Sequence, residues 1–103
     1  MNRVSEILQD LKKRKNSVSC HGKSGLLMYM EELGFQHKDG KTSGHRIFTH
    51  KSLTDLSIGE FRTHSVDCGH APKRPMKKPY VISTIKMIEK YQIELSEILG
   101  ARL

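Results

Sequence analysis

The chain has 103 residues with 18 Lys plus Arg against 11 Asp plus Glu. That suits one small hydrophobic core, and the formal charge of +7 favours a polyanionic partner through attraction and counterion release. No uninterrupted apolar run approaches the roughly 20 residues of a membrane-spanning helix, so no span is expected. Charges at Arg3, Glu6 and Asp10 interrupt the amino terminus before a secretory apolar region can build, which leads to an expected cytoplasmic location.

Val4, Ile7, Leu8 and Leu11 recur at helical spacing, and the basic run Lys12-Lys13-Arg14-Lys15 then suits the negative end of a helix dipole. A first amphipathic helix is predicted over residues 4 to 15, followed by a polar connector over 16 to 23. Leu26, Leu27, Met30 and Leu33 make one face of a second helix. Gly34 stands where a left-handed cap costs little, and Phe35 can fold back onto that face.

Residues 35 to 38 can extend, Asp39-Gly40 signals a hairpin, and residues 46 to 50 read as the return strand. A polar connector is expected over 51 to 59. The alternation from Glu60 to Val66 suits a third strand. Residues 67 to 79 hold all three prolines and the cations Lys73, Arg74, Lys77 and Lys78, which predicts an irregular loop of concentrated positive potential. Pro79 suits a helix start, and Val81, Ile82, Ile85, Ile88 and Tyr91 continue a final helix that is expected to end before Gly100. The class is therefore α+β, with a three-stranded antiparallel sheet packed by helices.

Only Cys20 and Cys68 are present, and in a reducing compartment two cysteines are expected as free thiols. Cys20-His21 and Cys68-Gly69-His70 offer four soft ligands, but adjacent cysteine and histidine chelate one ion poorly, so no metal site is assigned.

The run from Thr42 to His50 places a small-residue turn before a strand with a histidine at each end. An imidazole titrates near neutrality and can take and return a proton without a large environmental shift. Strand alternation sends His45, Ile47 and Thr49 to one face and Arg46, Phe48 and His50 to the other, and parity alone leaves open which face is exposed.

Leu33-Gly34-Phe35, then Ser43-Gly44-His45, then His50, and later a histidine-containing turn and basic, proline-bearing approach from His70 to a final apolar helix, together resemble the HicA toxin family of small bacterial RNA-cleaving proteins. The triplet reads Ser-Gly-His here where Gly-Ser-His is usual, and the connection between the second and third strands is longer. The resemblance implies a double-stranded-RNA-binding-like fold in α-β-β-β-α order over residues 22 to 99, with residues 1 to 21 as an added helical extension and 100 to 103 as a tail. It implies a metal- and cofactor-independent endoribonuclease acting on mRNA, with His45 catalytic. Lys41, Ser43, Gly44, Arg46, His50, His70, Lys73, Arg74, Lys77 and Lys78 are the RNA contacts it suggests, and a HicB-like antitoxin is the implied partner. A non-catalytic RNA-binding module on the same scaffold is the main alternative.

Overall fold

The structure, a computed structural model, describes residues 2–42, 44–69 and 74–101. Asn2 caps helix α1 (Arg3–Lys13) by accepting from the Ser5 N–H at 2.9 Å. Its face of Val4, Ile7, Leu8 and Leu11 is buried in the same core as residues of every later helix and of β2 and β3, so the amino-terminal helix is an integral layer of the domain. Helix α2 (Leu26–Glu32) follows, closed by Gly34 at φ 97° and by the Phe35 N–H donating to the Met30 carbonyl at 2.9 Å, as the sequence predicts.

Strands β1 (Gln36–Asp39), β2 (His45–Thr49) and β3 (His64–Asp67) form one antiparallel sheet in the order β1-β2-β3. Opposed pairs His37 with Phe48, Asp39 with Arg46, Phe48 with His64 and Arg46 with Val66 share one face. Phe48 and Val66 are fully buried, so that face is turned to the helices. Gln36, Lys38, His45, Ile47, Thr49, Ser65 and Asp67 occupy the opposite face, and none of them is buried. Phe48 sits at the centre of the core and meets Phe35 edge-on at 6.4 Å between centroids, and Phe35 in turn meets Phe61 at 5.6 Å.

Three stretches differ from the sequence expectation. The polar connector after β2 contains a short helix α3 (Lys51–Leu56), anchored by the buried Leu53 and capped by His50. Residues 60 to 63 are not strand: Glu60 closes a turn onto the Ser57 carbonyl, Phe61 plugs the core, and pairing begins only at His64. The final helix is two, α4 (Lys78–Lys90) and α5 (Gln92–Ala101), separated at Tyr91 (φ −108°, ψ 22°), and α5 passes through Gly100. Tyr91 is held at the break by ring contact with Phe61 and by donating its hydroxyl to Glu60 at 3.1 Å. Among the described residues, no helix is long and apolar enough to cross a membrane.

Just after α3, the Ile58 N–H donates to the Asp55 carbonyl and the Gly59 N–H to the Thr54 carbonyl, which forces Ile58 to φ 56°. A β-branched residue there carries the left-handed penalty of about 1–2 kcal/mol, and with 94% of its surface exposed Ile58 recovers nothing by packing. Ile58→Gly is therefore expected to raise the unfolding free energy by about 1 kcal/mol in chemical denaturation.

Candidate functional site

At one end of the open sheet face is His45, the first residue of the central strand β2. Its backbone is fixed on both sides: its N–H donates to the Thr42 carbonyl at 3.1 Å and its carbonyl accepts from the Gly40 N–H at 2.8 Å. The ring lies against the bare Cα of Gly40, where a Cβ would stand only 2.9 Å from the His45 Cγ. Opposite on β3 stands Asp67, whose carboxylate accepts from the Gly69 N–H at 2.8 Å. Lys38 is the diagonal neighbour of His45 on the same face, within reach for a long side chain. Among the described residues, none hydrogen-bonds the imidazole of His45.

Gly44 is needed at the turn before it for two reasons. Its φ of 86° is left-handed, and a Cβ would meet the Gly69 carbonyl oxygen at 2.5 Å. The Cys68 N–H donates to the Gly44 carbonyl at 2.7 Å, so the end of β3 is clasped to this turn.

Cys20 and Cys68 form a disulfide with Cα atoms 5.7 Å apart, which corrects the expectation of free thiols. The pairing arises because the connector before α2 runs beside the end of β3. The Cys20 carbonyl also accepts from the Leu27 N–H, and the Val18 carbonyl accepts from the Met76 N–H at 2.7 Å. The same bond removes both sulfurs from any zinc site. His21, next to the disulfide, lines a hollow of about 210 Å³ with Asp39, Gly44, Arg46, Cys68 and Gly69.

The proposed RNA contacts separate. Lys41 lies exposed in the turn between β1 and β2, near Gly44 and His45. Arg46 points to the helix-side face, where it pairs with the carboxylate of Asp39. Arg74, Lys77 and Lys78 are exposed but belong to the approach to α4, in the helix layer on the other side of the sheet from His45. Ser43, His70 and Lys73 lie outside the described residues.

His50 is corrected outright: it is 3% exposed and not available to RNA. Its Nδ1 accepts from the Leu53 N–H at 3.2 Å, capping α3, so Nε2 carries the proton and donates to the Leu33 carbonyl at 3.0 Å. Its ring meets Phe35 edge-on at 4.8 Å. Of the other histidines, His37 packs on Phe48 at 5.6 Å, and His64 stacks on Phe48 at 6.3 Å while bonding the Thr84 hydroxyl at 2.9 Å. Burial pushes the His64 imidazole below its ordinary value.

Lys38, Ser65 and Asp67 are the neighbours of His45 that sequence reasoning did not select. Applying the alternation to all three strands, with Phe48 as the core marker, would have found them. Among the described residues, no group of three or more His, Cys, Asp or Glu is placed to hold a metal ion. Compared with known families, curated proteins and solved structures, the chain matches no family model, no curated protein and no solved structure.

The disulfide closes a loop with a sequence separation of 48 residues. Replacing both cysteines with serine is expected to lower stability by about 4 kcal/mol. Urea unfolding of the variant, and of the wild type with and without reductant, measures this; equal stability in all three would contradict it. For His64 the sign follows from the depressed folded-state value. Above the unfolded value near 6.5 both states are neutral and stability is full. As pH falls below that value the unfolded chain takes a proton the native state resists, and stability is lost down to the folded-state pKa. The urea midpoint of the wild type should fall from pH 7 to about pH 5, and less so for His64→Gln.

Proposed function

We propose that this chain is a metal-independent endoribonuclease of the HicA toxin type, with a double-stranded-RNA-binding-like fold, cleaving mRNA in the cytoplasm through His45. The carrying observation is that His45 stands on an open, mostly polar sheet face, with its ring lying against the bare Cα of Gly40. The rings of His37, His50 and His64 are instead engaged with the core. The order α2-β1-β2-α3-β3-α4, which keeps the three strands between two helices with α3 added before β3, also supports the reading.

The chemistry needs little more than this face offers. His45 takes the proton of a ribose 2′-hydroxyl as that oxygen attacks the adjacent phosphorus, the bond to the 5′-oxygen breaks, the departing oxygen takes a proton from water, and a 2′,3′-cyclic phosphate and a free 5′-hydroxyl result. Lys38 and Lys41 are the cations placed to balance the charge that builds on the phosphoryl oxygens, with Ser65, diagonal to His45, as a hydroxyl donor. Gly44 brings the backbone of the turn close to the ribose. A HicB-like antitoxin would silence the enzyme by covering this face. Because a disulfide is unusual in a reducing cytoplasm, the Cys20–Cys68 bond implies that the oxidised form accumulates under oxidising conditions.

A non-catalytic RNA binder is the second reading, favoured by the separation of Lys77 and Lys78 from His45. Incubation with RNA in chelator decides between them. Cleavage by the wild type should persist in chelator, end in a cyclic phosphate, and fall by about 100- to 10,000-fold in His45→Ala, with the circular-dichroism melt unchanged. Equal cleavage by a folded His45→Ala protein would remove His45 from the mechanism, and RNA retention without cleavage by the wild type would establish the binder.

A further inference from the structure

The basic run at the end of α1 has no part in the site above, and the dipole of α1 accounts for only some of it. Lys15 lies beyond the Arg14 cap, and Lys86 lies in the middle of α4. The fold brings these two together with Lys12 around a hollow of about 240 Å³ between α1 and α4, also lined by Ile82, Ile85 and Glu89. Three ammonium groups there face one carboxylate, and Glu89 is already paired with Lys12 at 2.7 Å. Lys78 lies one turn before Ile82 on the same face of α4, so the cationic line continues along that helix.

We infer that the groove between α1 and α4 is a second RNA-binding surface, in which Lys12, Lys15 and Lys86 hold the sugar-phosphate chain of an RNA that extends beyond the residues being cut at His45. The inference rests on the ribonuclease reading. It gives the amino-terminal helix a function: α1 supplies one cationic wall, α4 supplies the other, and the isoleucine floor supports the aliphatic lysine stems while their heads reach phosphate oxygens. Charge complementarity selects the occupant. A surplus of positive charge along an open groove suits a continuous row of phosphates, with each neutralised phosphate releasing counterions to solution.

The test uses full-length protein carrying His45→Ala, so that binding is read without cleavage. Lys12→Gln, Lys15→Gln and Lys86→Gln are added together, and affinity for a long single-stranded RNA is followed across salt concentrations. Because three phosphates are then no longer neutralised, the slope of log K against log salt should shrink by about 2 and affinity near 0.1 M salt should fall about 100-fold. A control with Lys23→Gln, Lys51→Gln and Arg62→Gln removes the same charge from elsewhere and should change both far less. With His45 intact, the groove variant should still cut a short oligonucleotide at the wild-type rate.

Equal losses in groove variant and control would overturn the inference by showing a net-charge effect, and an unchanged slope would overturn it directly. Groove-dependent binding to phosphatidylserine vesicles with no groove-dependent RNA binding would assign the surface to a membrane instead. Failure of the ribonuclease reading looks different: no RNA cleavage by the wild type with His45 intact, whatever the groove does.

Discussion

The pleat of β2 sets the geometry of this domain. Phe48 is fully buried at the middle of the core, and a strand with one large aromatic committed inward has only one register open to it. A slip by one residue would put Ile47 in the core, Phe48 in water and His45 under the helices. The position of the imidazole on the open face is therefore a packing consequence, enforced by Phe35 and by the rings of His37 and His64 on either side of Phe48. Fold and candidate chemistry are linked through that alternation.

Much of this was legible in the chain. The apolar spacing of Val4 to Leu11 and of Leu26 to Leu33 marked α1 and α2, Gly34 marked the cap, and the hairpin signal at Asp39-Gly40 marked the first two strands. Helix α3 was hidden because its six residues bury only Leu53 and its cap is a histidine, a residue outside the usual capping set. The break at Tyr91 was hidden because Ile85, Ile88, Tyr91 and Leu95 are all buried and keep helical spacing straight across it. The role of His50 was hidden because its ring caps a helix that was itself unforeseen and donates to the Leu33 carbonyl, a backbone group brought to it by tertiary structure.

The candidate site was legible at its centre and not at its rim. His45 and Gly44 were singled out from local composition, and strand and turn place them together. The cations expected around them came from sequence proximity to prolines or from the run before α4, and distance along the chain says nothing about which side of a sheet a segment crosses. The helix layer takes Lys77 and Lys78 to one side, while the alternation of β1 leaves Lys38 beside the imidazole. Positive charge is thus divided between two faces, which means a polyanion long enough to reach both is held differently from one confined to either.

The cystine has a consequence for the integrity of the chain. Cys20 and Cys68 bracket α2, all three strands and α3 within one covalent ring. A protease that cut an exposed bond inside that ring, such as one near Lys41 or Ile58, would leave no loose fragment: both halves would travel as one molecule until a thiol released them.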